Sequence, residues 1–233
     1  MAPTNKTVLI TGSSRGIGLA LASHYHVAGW NVIAAARNPV NADQLKALNV
    51  YKTVQLDVSD EASVLQAAKE LEGEAIDLVI NNAGMAYMDS FLTATKADII
   101  HTFEVNSVGP FLVSRAFLPH LKAAVAANGT ATLAQISSGL GSIEMNKGEW
   151  LLPGYRASKS ALNMFNKIIS HEVKNDKITA VVLCPGFVAT DLNNHAGSLQ
   201  TSESAAFVVK NIARLTLEDT GKFIGHEGNE YPW

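Results

Sequence analysis

Thr11-Gly12-Ser13-Ser14-Arg15-Gly16-Ile17-Gly18 decides the fold. It follows the apolar run Thr7–Ile10 and opens a stretch of helical spacing in which Ile17, Leu21 and Tyr25 share one face and Ala20, His24 and Ala28 another. Strand, glycine turn, helix is the context that a phosphate-binding turn requires. Gly12 allows the tight turn, Gly16 lets backbone approach a pyrophosphate, and Gly18 lets helix and strand pack closely. The free N–H groups at the helix start, carrying about half a positive charge, suit an anion. The spacing is G-x-x-x-G-x-G. The same residues also fit G-x-S-x-G at 12–16, the elbow of α/β-hydrolases, which would make Ser14 a nucleophile. That elbow usually follows several strands, and here it follows the first.

Outward from this turn, strands and helices alternate. Strands are expected at Asn31–Ala36, Lys52–Leu56, Ile76–Ile80, Thr130–Ile136, Ile178–Cys184 and Phe223–Ile224. Helices are expected at Ile17–Ala28 (closed by Gly29), Val40–Leu48, from a Ser59 cap to about Leu71, Ala97–Ala127 with Pro110 and Pro119 interrupting it, Tyr155–Val173 and Ser202–Leu215. Alternation of this kind implies an α/β fold, a doubly wound parallel sheet of about seven strands covered by helices on both faces. Segments 138–154 and 186–200 lack periodicity and follow strand carboxyl ends, where such sheets bind ligands.

The chain has 233 residues, 47% of them hydrophobic and 17% charged, which fits one folded domain and excludes a disordered chain. One cysteine, Cys184, excludes an internal disulfide framework or a Cys-rich zinc site and reads as a core residue. His24 and His26 lie two apart on a helix, hence on different faces, and no other cluster has ligand spacing, so no metal is expected. A net charge of −3 gives no reason to expect nucleic acid. No apolar run approaches the ~20 residues of a membrane span, and the first residues are too short for a signal-peptide core. The expected setting is cytoplasmic.

Two further signals bear on chemistry. The second strand ends Ala34-Ala35-Ala36-Arg37, without the acid that would hydrogen-bond a ribose 2′-OH. Arg37 offers a planar fork of donors to a 2′-phosphate, and Arg15 can reach the same region, which favours NADP(H) over NAD(H). The plainer reading is two solvated surface arginines. In Tyr155-Arg156-Ala157-Ser158-Lys159, the phenol and the ammonium lie i, i+4 on one helix face and can address one ligand. At ~4 Å the ammonium favours phenol ionisation by at most about 4 kcal/mol, against the opposing cost of desolvation. The expected net effect brings Tyr155 into the range of general acid–base catalysis. A serine hydroxyl at the end of the fifth strand, in Ile136-Ser137-Ser138-Gly139, can hold a carbonyl oxygen while Tyr155 donates its proton.

Together with Asp57-Val58, Asn81-Asn82-Ala83-Gly84, Asn106 in F-E-V-N and P-G-F-V-A-T at 185–190, these motifs resemble the short-chain dehydrogenase/reductase family, in family order and over the whole chain from Thr11. The resemblance implies a single Rossmann domain, residues 1–233, carrying both loops. It implies a catalytic set of Asn106, Ser138, Tyr155 and Lys159, with Ser138 preferred to Ser137 because it immediately precedes the turn begun by Gly139. Asn106 would anchor a water that resupplies the proton. Besides Gly12, Ser14, Arg15, Gly16, Ile17, Gly18 and Arg37, the cofactor would meet Asp57 and Val58 at the adenine and Asn82, Ala83 and Gly84 at the adenosine ribose. Tyr155, Lys159, Pro185, Gly186, Val188 and Thr190 would meet it at the nicotinamide end. Read without the resemblance, Asn81 and Asn82 cap a turn and Asn106 is a buried helix amide.

The implied reaction is NADPH-dependent reduction of a ketone or aldehyde to an alcohol, with a small-molecule substrate as partner. A homodimer or homotetramer would form through the helices Ala97–Ala127 and Tyr155–Val173. The alternatives are a catalytically silent NADP(H) sensor on the same scaffold and the Ser14 hydrolase. The spacer from Ser138 to Tyr155 is longer than the family usually has, which enlarges or covers the substrate cleft. Met85, Leu140, Met145, Trp150, Leu151, Phe187 and Leu192 are the expected pocket residues. The ending G-K-F-I-G-H-E-G-N-E-Y-P-W is similar to the C-factor-like and carbonyl-reductase branch.

Overall fold

The core strands read as unbroken apolar runs because both faces of the sheet are covered. A computed structural model, describing residues 6–148 and 151–233, arranges them in one parallel sheet of order β3-β2-β1-β4-β5-β6-β7. The strands are β1 (Thr7–Thr11), β2 (Asn31–Ala36), β3 (Lys52–Gln55), β4 (Leu78–Asn81), β5 (Ala131–Ile136), β6 (Ile178–Leu183) and β7 (Phe223–Ile224). The helices are α1 (Gly16–Val27), α2 (Asp43–Ala47), α3 (Glu61–Glu70), α4 (Lys96–Phe103), α5 (Gly109–Ala116), α6 (Leu118–Asn128), α7 (Pro153–Val173) and α8 (Thr201–Ala213).

Successive strand residues point to opposite faces, and the register turns this alternation into two cores. Ile33, Leu9, Val79, Leu133 and Ala180 are paired across five strands and pack with Val64 of α3, Val113 of α5 and Leu121 of α6. One residue on, Ala34, Ile10, Ile80, Ala134 and Val181 form the opposite row and pack with Leu21 of α1 and Ala205 and Val208 of α8. The expected doubly wound sheet is thus present. Its strand order reverses between β1 and β4, opening a crevice at their carboxyl ends.

The helix expected over Ala97–Ala127 is three helices. Pro110 lacks an N–H, and its ring would clash with the carbonyl of Asn106 in a regular helix. The chain widens instead into a π turn over Glu104–Val108, which carries Asn106. A second break at Phe117 puts Pro119 in the first turn of α6, where a missing N–H costs nothing. Val40–Leu48 is a 3₁₀ turn at Pro39–Asn41 followed by α2. The cap of α3 is Asp60, not Ser59: the Asp60 carboxylate accepts from Ala62 N at 3.0 Å, while the Ser59 hydroxyl donates to Asp57 at 2.7 Å. Among the described residues no helix is long and apolar enough to cross a membrane.

Candidate active site

Thr11, Gly12 and Asn82 join the two loops that leave the sheet at the crevice. The Thr11 hydroxyl accepts from Asn82 N at 3.0 Å and Ala83 N at 3.1 Å. The Asn82 side chain donates back to Thr11 O at 2.9 Å and Gly12 O at 3.3 Å. Neither asparagine merely caps a turn. Asn81 is buried and donates to Pro110 O, Ser114 Oγ and Gln135 Oε1, tying β4 to α5 and β5. Gly18 packs so tightly that a methyl there would overlap the Gly12 carbonyl oxygen and lie 2.5 Å from Asn82 Nδ2. Backbone cannot yield as a flexible side chain does. Gly18→Ala is therefore expected to destabilise the fold by about 1–3 kcal/mol and to weaken NADPH binding, as read by urea denaturation and nucleotide fluorescence titration.

A groove of about 880 Å³ runs along this crevice. Gly12, Ser14, Arg15, Gly16, Ile17 and Gly18 line it with Arg37, Asp57, Val58, Asn82, Ala83 and Gly84, and with Thr190, Asp191 and Leu192 from the 186–200 loop. Met85, Ala86 and His101 also line it, as does the α2 region from Asn41 to Gln44. Pro185, Gly186 and Val188 lie off its wall: Pro185 O accepts from the Ser204 hydroxyl at 2.8 Å, and Val188 bridges to Leu199. Arg37 is exposed and makes no ion pair among the described residues. Arg15, expected to reach the Arg37 region, pairs instead with Asp191 at 3.2 Å, and Asp191 also meets His195 at 3.1 Å. Such an exposed pair contributes little, about 0–1 kcal/mol, and yields readily to a phosphate.

The Ser-Tyr-Lys group lies beside Gly84, next to the groove rather than in its lining. Ser138 follows β5 and caps the 3₁₀ turn Gly139–Gly141, accepting from Leu140 N at 3.2 Å. Ser137, one residue earlier, faces the other way and is spent on Asn163 Oδ1 at 2.7 Å. The Ser138 side chain is the neighbour that counters the effect of burial on the Tyr155 phenol. Lys159 is buried, donates to Ile136 O at 2.8 Å, and holds its ammonium 5.8 Å from the Tyr155 ring centroid. A methyl on Gly84 would sit 3.6 Å from that ammonium and 3.3 Å from Asn106 Oδ1, so these groups close around the end of the N-N-A-G motif. Asn106, fully buried, accepts from Met85 N at 2.9 Å and donates to Met85 O at 2.8 Å and Ser158 Oγ at 3.0 Å. Its side chain thus holds the Met85 loop against α7.

The electrostatics differ from the sequence expectation in sign. Burial pushes Tyr155 up to about 12, and Ser138 only partly offsets it. The ammonium does not prevail because it points to Ile136 O and is itself desolvated, which brings Lys159 down to about 8. The unfolded chain keeps the Lys159 proton up to its ordinary value of 10.5, whereas the folded chain releases it near 8. Between these values the unfolded state binds more protons, so this group makes stability rise with pH through that window. Lys159→Met is expected to remove that increment, seen by comparing urea midpoints of the two proteins at pH values on either side of the window.

Thr11, Ser158 and the Ile136 carbonyl escaped the sequence reading. Thr11 and Ser158 sit inside quoted motifs, which was the available signal. Of the expected pocket residues, Met85 and Leu192 line the groove and Leu140 lies in the Ser138 turn. Met145, Leu151 and Phe187 are exposed at the surface, and Trp150 lies outside the described residues.

Comparison with known proteins agrees with this geometry. A family model described as short chain dehydrogenase matches residues 6–200. The NADPH-bound carbonyl reductase from chicken fatty liver superposes with a TM-score of 0.91 at 33% identity, covering 98% of this chain and 99% of that one. Carbonyl reductase Sniffer of D. melanogaster also gives 0.91, at 28% identity over 99% of this chain and 100% of its own. A 1-hydroxy-2-glutathionyl-2-methyl-3-butene dehydrogenase from Rhodococcus sp. (strain AD45) is 30% identical over 97% of this chain and 99% of its own. With its glycine turn, its N-N-A-G corner and its Ser-Tyr-Lys group on one parallel sheet, the chain belongs to the short-chain dehydrogenase family.

Proposed function

We propose that this chain is an NADP(H)-dependent reductase of ketones or aldehydes, a single domain whose 138–154 and 186–200 loops shape the substrate cleft. The observation that carries the reading is the meeting of Ser138, Tyr155 and Lys159 beside Gly84, which itself lines the groove shared with the glycine turn. The residues present fit the dinucleotide. The first turn of α1 holds no acidic residue to repel a pyrophosphate. Gly12, Gly16 and Gly18 line the groove without side chains, and Arg37 lines it with no ion pair among the described residues. NADPH-bound carbonyl reductase from chicken, alike over nearly the whole chain, supports the choice of cofactor.

When bound, the dihydronicotinamide supplies a hydride to the carbonyl carbon. Ser138 donates a hydrogen bond to the carbonyl oxygen. Tyr155, protonated at neutral pH, gives its proton to that oxygen as negative charge develops there. Lys159 places a cation beneath the phenol and near the ribose side of the groove, steadying the phenolate left after transfer. Asn106 is a positioning residue that fixes the Met85 loop and α7. In this reading Thr190, with Pro185, Gly186 and Val188 just off the groove wall, would border the nicotinamide, and Asp57 and Val58 the adenine.

A dimer through α4 and α7 goes with this reading. The two helices pack together and leave Ile99 and Phe103 on one, and Met164 and Ile168 on the other, as exposed apolar i, i+4 pairs. The test is loss of NADPH absorbance against a panel of aldehydes, ketones, diketones and quinones, with NADH in parallel. Turnover with NADPH in preference to NADH supports the proposal. NADPH binding without turnover of any member would favour a sensor, and absence of NADPH binding would overturn the reading.

A further inference from the structure

The segment after β7 returns to the catalytic serine. Ile224 bridges antiparallel to Glu230, and Tyr231 N donates to Phe223 O at 2.7 Å, which turns the chain back across the end of the sheet. The Tyr231 ring meets Phe223 edge-on at 5.4 Å, and Trp233 stacks on the same ring at 5.5 Å. Gly225 leaves the Tyr231 ring its place, since a methyl there would lie 2.6 Å from Tyr231 Cζ. On its far side Tyr231 reaches Gly139, the residue after Ser138. A methyl on Gly139 would sit 3.6 Å from Tyr231 Cε2, 3.8 Å from Met145 Cε and 4.0 Å from Cys184 Sγ. Gly139 N donates to that sulfur at 3.2 Å. Farther along the loop, Glu144 N donates to Trp233 O at 3.0 Å.

We infer that Glu230–Trp233 is a positioning strap for the 138–145 loop, with Tyr231 setting where the Ser138 hydroxyl stands relative to the Tyr155 phenol. Ser138 starts a short 3₁₀ turn closed by Gly141 N on Ser138 O at 2.9 Å and Ser142 N on Gly139 O at 3.1 Å; α7 holds its far end through Ser160 Oγ on Gly141 O at 2.8 Å, while the Ser138 hydroxyl accepts only from Leu140 N within the turn. The side of the loop that α7 does not hold, at Gly139 and Glu144, takes its position from what packs on it. Here that is an aromatic ring clamped between Phe223 and Gly139, a thiol and the Trp233 carbonyl. A hydroxyl that polarises a carbonyl must be placed to a fraction of an ångström, and a 1 Å misplacement costs on the order of 100-fold in rate. The strap makes Tyr231 a positioning residue, and its effect falls on the transition state, in which Ser138 acts.

The inference rests on the carbonyl-reductase reading, so the experiment carries a control for that reading. Tyr231→Ala, Tyr231→Phe, Trp233→Ala and Tyr155→Phe are compared with the full-length wild type for kcat, KM for one turned-over carbonyl, and NADPH affinity by fluorescence titration. Tyr231→Ala is expected to lower kcat by about 10-fold or more, with KM and NADPH affinity within about threefold of wild type. Tyr231→Phe keeps the ring and is expected to keep kcat within about twofold. Trp233→Ala, which removes only a surface-stacked ring, moves kcat in the same direction and serves if Tyr231→Ala does not fold. Wild-type kcat in both truncating variants would overturn the strap. So would equal losses of kcat and NADPH affinity, the mark of a merely structural residue. Wild-type turnover in Tyr155→Phe would instead show that the reading beneath it had failed.

Discussion

Tyr155→Phe is expected to lower kcat for carbonyl reduction by at least about 100-fold, the scale of a general acid, while NADPH affinity changes by less than about twofold. The phenyl ring preserves the packing at the start of α7 and the 5.8 Å approach of the Lys159 ammonium to the ring. Only the hydroxyl is lost. Because burial holds the phenol near 12, wild-type Tyr155 carries its proton throughout the neutral range and is poised to give it rather than take one. Steady-state kinetics paired with fluorescence titration checks this; a variant that turns over like wild type would remove Tyr155 from the chemistry.

Arg37→Asp is expected to shift the NADPH/NADH ratio of kcat/KM by about 100-fold or more toward NADH. A carboxylate there replaces attraction to the 2′-phosphate with like-charge repulsion, which costs several kcal/mol, and about 2.7 kcal/mol already equals 100-fold. Arg37 has no competing ion pair among the described residues, so its guanidinium is available to the phosphate. Arg15→Ala is expected to do less, because Arg15 stands on Asp191. Together the two changes should shift preference further than Arg37→Asp alone. An unchanged cofactor ratio in Arg37→Asp, measured with one carbonyl substrate, would contradict the 2′-phosphate assignment.

What was legible in the sequence was local or periodic. The glycine turn stands at the end of the apolar run that becomes β1, and strand alternation with helical spacing implied the parallel sheet, because burial on both faces leaves no polar side to the strands. The i, i+4 placement of Tyr155 and Lys159 follows from helix geometry alone. Non-local features were not legible. Nothing near Lys159 in the chain reveals that the Ile136 carbonyl will capture its ammonium, which leaves burial to set the sign of the Tyr155 shift. Arg15 and Asp191 meet only because the 186–200 loop folds over the glycine turn. Pro110 signalled a break in a helix, but not that the break would be a π turn presenting Asn106 to Met85 and Ser158. Ser59 and Asp60 are both good caps by composition, and the choice fell to Asp60 because Ser59 is held by Asp57.

The central claim is a hydride delivered to a carbonyl carbon beside the Tyr155 hydroxyl. Mass spectrometry of the alcohol formed from a turned-over ketone or aldehyde, with NADPH deuterated on the transferring face of nicotinamide C4, tests it most directly. The account predicts one deuterium on the carbinol carbon of the product. An alcohol free of deuterium with the label on either face of C4 would contradict it.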